Sequence, residues 1–369
     1  MVEIGSLFIG IMSGTSLDGV DTVLVDFSCP ITPVLLQTFF CAYDDQLREQ
    51  LLSLHQPGHD ELNRAAMLSN QLSYLYAQAT AGLLENAGIA PNQIIAIGCH
   101  GQTVRHCPEV EKNYTIQLVN AALLAELTQI AVVADFRSRD IAAGGQGAPL
   151  VPAFHEAVFK HSESHRVIVN IGGIANITNL DPYHPIIGFD CGPGNLLMDA
   201  WCLCHTGKAY DNKGQWAATG RIIPALLQAF LSDDFFLRQP PKSTGRDLFN
   251  VQWLEEKLIG NEAPEDVQAT LLQLTALTIA KSILEYCATA EEVYICGGGS
   301  HNTLLLDRLI DAIPGKAVAL TDQLGVGVDW VEAFAFAWLA QQAISGKNGN
   351  LPAVTGAKGD RILGAIYPA

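Results

Sequence analysis

Apolar residues run unbroken from Leu7 to Met12 and stop at Ser13-Gly14-Thr15, which predicts a buried strand ending in a tight turn. The next segment, Asp21 to Phe27, alternates, with Val23, Val25 and Phe27 on one face, and Val34 to Cys41 follows as a third strand. Together these predict an antiparallel meander. Leu62, Ala65, Leu72, Ala79 and Leu83 then recur at helical spacing, predicting a helix from about Glu61 to Asn86 opened by Asp60 and stopped by Gly88. Apolar runs at Ile94 to Cys99 and Ile130 to Ala134 lead into the polar stretches His100-Gly101-Gln102-Thr103 and Asp135-Phe136-Arg137. Polar residues directly after apolar strands suit an α/β sheet that binds ligands at the carboxyl ends of its strands.

The pattern changes at Gly144-Gly145-Gln146-Gly147-Ala148-Pro149, the expected domain boundary. After one helix the opening is repeated in outline: strand Val167 to Ile171, a Gly172-Gly173 turn, and a returning strand Ile174 to Leu180. This reads as a weak internal duplication of architecture. A further strand ends at Asp190-Cys191-Gly192-Pro193-Gly194. Helix Val267 to Thr289, strand Val293 to Cys296, Gly297-Gly298-Gly299 and a helix from about Thr303 come next, and helix Trp330 to Ile344 precedes a short tail to Ala369. A chain of 369 residues exceeds what one core usually serves. The expected division is an N-terminal lobe of residues 1–140 plus about 345–369 and a C-terminal lobe of residues 141–344.

Composition narrows the function classes. Net charge is -17, without a Lys/Arg cluster, which argues against nucleic acid or an anionic membrane surface as partner. Nine scattered cysteines in a long chain read as reduced thiols in a cytoplasmic protein. Leu7 to Met12 is too short for a signal sequence, and no stretch suggests the ~20 apolar residues of a membrane helix.

Three glycine-rich turns are the candidate chemistry. In Ser13-Gly14-Thr15-Ser16-Leu17-Asp18-Gly19 a hairpin can bring backbone N–H groups and two hydroxyls onto phosphate oxygens, or it can be an ordinary tight turn. Asp18 or Asp21 can help hold Mg²⁺ through water. Gly172-Gly173-Ile174-Ala175-Asn176 is the second turn and Gly297-Gly298-Gly299-Ser300 the third, the latter able to admit adenine or a phosphate. Neither a P-loop nor a G-x-G-x-x-G fingerprint with its acidic partner is found. Asp190, beside a Gly-Pro-Gly turn, is the candidate base, and capping the helix near Asn195 is its bland alternative. His100 and Gln102 can reach substrate hydroxyls, and Arg137 or Arg139, which sit with Asp140 before the glycine-rich boundary, a carboxylate; Glu332 opens an otherwise apolar helix and can bind substrate or favour the helix N-terminal turn; each can instead serve the fold. Cys202, Cys204 and His205 fall within an expected helix and do not form a zinc site.

Taken together, these segments resemble the anhydro-N-acetylmuramic acid kinases. The likeness is carried by Ile9 to Asp21, Cys99 to Thr103, Asp135 to Arg137, Asp140 to Pro152, Asn170 to Asn176, Phe189 to Asn195 and Cys296 to Gly299. It implies the two-domain sugar-kinase, actin-like fold, of the ribonuclease H type, with ATP and Mg²⁺ in an interdomain cleft. It further implies nucleotide contacts from Gly14, Thr15, Ser16, Leu17, Asp18, Gly19, Val20, Asp21, Gly172, Gly173, Asn176, Gly297, Gly298 and Gly299. The family's catalytic acid carries over to Asp190, and sugar contacts to His100, Gln102, Arg137, Asp140, Asn195 and Glu332. The implied reaction opens the 1,6-anhydro ring of the amino sugar with water and phosphorylates its sixth oxygen, in peptidoglycan recycling. A homodimer is one option for the assembly. The rival expectations are a kinase acting on another sugar or a short carboxylate, and a nucleotide-switched binding protein.

Overall fold

Strand β1 (Leu7–Ser13) is buried on both faces, as its unbroken apolar run requires. It pairs antiparallel with β2 (Gly19–Asp26), which pairs with β3 (Val34–Ala42) to complete the expected meander. On its other side β1 runs parallel to β4 (Ile94–Cys107). The short β5 (Tyr114–Leu118) folds back on β4, and β6 (Val132–Ala134) runs parallel to it. Residues 6–14, 16–29, 32–108, 113–246 and 248–369 are described by the computed structural model.

The second sheet is built the same way. Strands β7 (Arg166–Ile171), β8 (Ile174–Leu180) and β9 (Ile187–Pro193) form an antiparallel meander, and β10 (Glu292–Cys296) and β11 (Ala317–Leu320) add parallel to β7. The orders β3-β2-β1-β4-β6 and β9-β8-β7-β10-β11 match strand for strand. The duplication expected from the two glycine turns therefore extends through five strands of each sheet, the arrangement of the sugar-kinase and actin-like fold. The last strand, β12 (Ala365–Tyr367), edges the first sheet against β6.

The chain divides into two compact units, Met1–Val158 with Trp330–Ala369, and Phe159–Asp329. This corrects the expected boundaries at residues 140 and 344. The helix Val331–Ile344 belongs to the first unit because β1 and β4 leave room for it: a Cβ on Gly10 would collide with the Ala333 carbonyl, and one on Gly98 with that of Phe336. Close approach of helix backbone to sheet is what these two glycines supply. The helix Val151–Phe159, placed in the second lobe by the sequence reading, also falls largely in the first unit, where Phe154 packs on Phe334 at 5.1 Å.

Each unit has its own core. In the first, the helix Glu61–Ala87 packs Leu68, Leu72, Tyr76, Ala79 and Leu83 into the core; Leu72, Ala79 and Leu83 are buried as expected, whereas Leu62 is exposed. Asp60 opens this helix in a left-handed conformation without a side-chain cap, whereas Gly88 ends it as expected. In the second, the helix Pro264–Tyr286 lies under β8 and β9 and buries residues around most of its circumference. It is long and apolar enough to cross a membrane by composition, contrary to the sequence reading, but 78% of its apolar window is buried within the unit. A helix apolar all round is what a central core position requires.

Candidate active site

In the first unit the chain leaves β1 at Ser13 and turns through Gly14 to Asp18 into β2. The predicted contact Thr15 lies outside the described residues. The turn is held from beneath. Leu17 is buried with φ +57°, and its N–H donates to the Gly14 carbonyl at 3.3 Å. Val20 is fully buried in β2. Neither side chain can meet a nucleotide, so only their main chain is available. Ser16 and Asp18 are exposed, with the Ser16 hydroxyl donating to Asp18 Oδ1 at 2.5 Å. Gly19 serves the fold, since a Cβ there would collide with the Cys41 carbonyl. Asp21 is half-buried opposite Met12.

Strand β4 continues to Cys107, eight residues beyond the expected end at Cys99, because Gly101 adopts φ +76° and makes a bulge. Across it the pairing slips from Ile11–Cys99 to Ser13–Gln102. The bulge aims Gln102 at the turn: its Nε2 donates to the Gly14 carbonyl at 3.0 Å, and its Oε1 accepts from the Tyr43 hydroxyl at 3.3 Å. The Tyr76 hydroxyl meets Ser13 Oγ at 2.8 Å. Gln102 is fully buried. It braces the turn.

His100 is also buried. Its Nε2 accepts from Arg137 Nε at 3.0 Å and lies 2.9 Å from Arg137 Nη2. Burial first, and the Arg137 charge second, hold its pKa well below the usual value, so the ring is a neutral acceptor. It orients Arg137. The Arg137 Nη1 donates to the Gly147 carbonyl at 2.7 Å. Burial pulls the pKa of this guanidinium down to about 10, against the opposing charges of Glu332 and Asp140. Glu332 lies in the first turn of the helix Val331–Ile344 and is half-buried. Asp140 is fully buried with both oxygens engaged: Oδ2 accepts from the Gly147 N–H at 2.9 Å, and Oδ1 from Asn350 Nδ2 and Thr355 Oγ1, both at 2.8 Å. It anchors the glycine-rich segment to the C-terminal residues.

In the second unit three loops converge at one end of the sheet. The carbonyl of Gly172 accepts from the Asn195 N–H at 2.8 Å, and that of Gly173 from the Gly194 and Leu196 N–H groups at 2.9 and 3.1 Å. The Asn195 side chain donates to the Ile171 carbonyl at 3.1 Å and is the nearest neighbour of a Cβ placed on Gly298, at 3.9 Å. Asn195 thus ties the β7–β8 turn to the Gly297–Gly299 loop. Gly297 itself is fixed by the fold, with φ +80° and the Asn170 side chain where a Cβ would stand.

Space separates two kinds of glycine here. Gly14, Gly172 and Gly298 have no left-handed φ, and a Cβ on them would meet nothing nearer than 3.5, 3.6 and 3.9 Å respectively. The fold does not require glycine at any of the three, whereas close approach of a phosphate or a base to the backbone does.

Asp190 lies within β9, not after it as the sequence reading had it, since the strand runs to Pro193. Asn170, Asn176 and Asp190 stand in one cross-strand row over β7, β8 and β9. Asp190 Oδ2 accepts from the Thr244 N–H at 2.9 Å, and its own N–H donates to the Lys242 carbonyl at 3.0 Å. Burial pushes its pKa up to about 7, despite the Thr244 amide and the Lys242 charge pulling the other way. A carboxyl near neutrality is suited to taking a proton from water. The segment Lys242–Gly245 was missed in the sequence; only the preceding Pro240-Pro241 punctuated it. Cys202 is buried and Cys204 exposed on the helix Leu196–Thr206, as expected for helix residues.

A model of the anhydro-N-acetylmuramic acid kinase family matches residues 6–369. The chain belongs to this family. Curated relatives called anhydro-N-acetylmuramic acid kinase are 61% identical in Nitrosospira multiformis, 61% in Nitrosomonas europaea and 53% in Pseudomonas fluorescens, each alignment covering 98% of this chain and 99% of the relative. Among solved structures, a ROK family glucokinase from Streptomyces griseus in complex with glucose and AMPPNP aligns with TM-score 0.42 and 16% identity, over 91% of this chain and 99% of that one. Family membership makes the chain a sugar kinase, and the segments that carried the resemblance in the sequence are those that build the turns and the Asp190 row.

Proposed function

We propose that this anhydro-N-acetylmuramic acid kinase uses ATP to open 1,6-anhydro-N-acetylmuramic acid with water and to phosphorylate it to N-acetylmuramic acid 6-phosphate, in the cytoplasm, as a step of peptidoglycan recycling. The observation that carries the mechanism is Asp190, a half-buried strand carboxylate poised near pH 7 with one oxygen fixed by a main-chain amide. Asp190 takes a proton from water as that water attacks C1. The bond from C1 to the bridging oxygen breaks, and the released sixth oxygen takes the γ-phosphoryl group, leaving ADP. Charge is then balanced by the proton on Asp190.

Nucleotide contacts are assigned unit by unit. The first unit offers the main chain from Gly14 to Asp21 with the Ser16 hydroxyl. The second offers Gly172, Gly173 and Asn176 for phosphate and Gly297 to Gly299 for the nucleoside. Arg137, held by His100, and Glu332 are the sugar-binding pair of the first unit; Asn195 supports the loops of the second. Mg²⁺ fits this donor set: it keeps most of its waters and needs only one or two carboxylates besides phosphate oxygens, and Asp18 is an exposed carboxylate at the turn. When bound with ATP, the ion neutralises charge on the transferring phosphoryl group.

The test is incubation with ATP, Mg²⁺ and the anhydro sugar in ¹⁸O-labelled water. A phosphorylated product carrying one water-derived oxygen is expected. Turnover of a simple hexose or acetate, with none of the anhydro sugar, would overturn the assignment.

A further inference from the structure

The segment from Lys242 to Gly245 is fastened at both ends. Lys242 Nζ donates to the Phe235 carbonyl at 3.3 Å and stands 4.7 Å from the Phe235 ring centre and 5.9 Å from that of Phe189, the neighbour of Asp190. At the other end the Gly245 carbonyl accepts from the Leu248 and Phe249 N–H groups at 3.2 and 3.0 Å. Phe249 is fully buried and packs against Phe235, Phe236 and Trp253 at ring distances of 5.5, 5.7 and 5.0 Å. Between these anchors the segment reaches Asp190 twice, through the Lys242 carbonyl and the Thr244 N–H. A strap tied to a rigid aromatic cluster and bonded to one carboxylate oxygen fixes that carboxylate's rotamer.

Resting on the proposed function, we infer that Lys242 and the Thr244 main-chain amide are the positioning groups of the Asp190 base: the amide holds Oδ2, leaving Oδ1 to accept the proton, and the Lys242 ammonium holds the strap shut while favouring the ionised carboxylate. Other groups around the pair are few. Cys191 on β9 is a thiol pushed up to about 12 by burial, hence neutral. Lys281 and Glu285 on the helix Pro264–Tyr286, and Arg238, bear on Lys242, which burial pulls down from its ordinary value. The charge that bears on Asp190 is that of Lys242.

Carboxyl ¹³C NMR of Asp190 in the substrate-free protein tests this independently of the reaction assigned to the enzyme. Lys242→Met keeps the apolar stem and removes the charge and its bond to Phe235. The Asp190 titration is expected to move up by about half to one pH unit, and kcat/KM to fall about 3- to 10-fold at pH 6 with little change at pH 9. Lys242→Arg restores the titration at least partly. Thr244→Val keeps the amide and is expected to leave the titration in place. An unmoved titration in Lys242→Met, or an equal shift in Thr244→Val, would overturn the inference. Unchanged melting temperature and ATP affinity exclude general loosening. Absence of turnover on the anhydro sugar by the unsubstituted protein would instead strike at the assigned reaction.

Discussion

Gln102 Nε2 donates to the Gly14 carbonyl at 3.0 Å, joining the bulge of β4 to the first glycine turn across 88 residues of chain. The bond leaves the Gly14 amide plane little freedom, so the turn is set before a ligand arrives. Gln102→Leu removes it together with the bond from the Tyr43 hydroxyl. The expected cost is about 1–3 kcal/mol of stability, with ATP affinity down about 5- to 50-fold and the KM for the sugar nearly unchanged. Isothermal titration with a non-hydrolysable ATP analogue and steady-state kinetics separate these effects. An equal rise in both KM values would show a general disturbance of the fold.

The open and the crowded glycines make opposite predictions. Gly14→Ala and Gly172→Ala add a methyl group into free space, so stability is expected to hold within about 1 kcal/mol, while ATP binding weakens about tenfold or more because the methyl group occupies the approach of phosphate. Gly194→Ala would drive its Cβ into the Gly172 carbonyl. It is expected to lower the melting temperature markedly, by overpacking worth about 1–3 kcal/mol or more. Thermal unfolding and nucleotide titration of the three variants provide the comparison.

Asp140 should behave as a structural residue. Asp140→Ala leaves the Gly147 N–H, Asn350 and Thr355 without their acceptor in the interior of the first unit. A loss of about 3–5 kcal/mol is expected. The folded fraction should keep its KM for the sugar within about threefold, whereas Arg137→Met should raise it at least tenfold by removing a guanidinium. A large KM change in Asp140→Ala, at temperatures where it is folded, would return Asp140 to the sugar site.

What the sequence made legible was the class of fold and the loops, and what it hid was which polar side chains face inward. An unbroken apolar run located β1, and helical spacing located the helix Glu61–Ala87, within a few residues. Periodicity missed β5, β11 and β12, which are short strands at or near sheet edges, with little apolar pattern to announce them. The helix Val331–Ile344 was given to the wrong unit because nothing local in an apolar helix says which sheet it covers; Gly10 and Gly98 decide that from more than 200 residues away. His100, Gln102 and Asp140 occur in motifs that also hold ligand-facing residues, and only three-dimensional bonding separates a brace from a contact. The Thr244 amide is a main-chain group and carries no side-chain signature at all.

Asp190 offers a prediction in which function and stability move in opposite directions. Asp190→Asn keeps an acceptor for the Thr244 amide and abolishes the base, so turnover should fall about 10²- to 10⁴-fold, with ATP affinity within about threefold. In the unsubstituted protein kcat/KM should rise with pH through an apparent pKa near 7, as the carboxyl ionises. Stability carries the reverse sign. The folded-state pKa lies above the ordinary 3.8, so the folded protein holds this proton more tightly than the unfolded chain does. Below about pH 4 both states are protonated and Asp190 exacts no penalty. Between pH 4 and 7 the unfolded chain gives up the proton first, and the folded state loses stability, reaching a constant deficit above pH 7. Asp190→Asn removes that deficit. The variant should therefore be about 1–3 kcal/mol more stable than the unsubstituted protein at pH 8, after allowance for solvent screening, and about equal to it at pH 4. Chemical denaturation at the two pH values measures the difference. A variant less stable at pH 8 than at pH 4, relative to the unsubstituted protein, would mean that Asp190 is a stabilising ionised carboxylate and not a strained base.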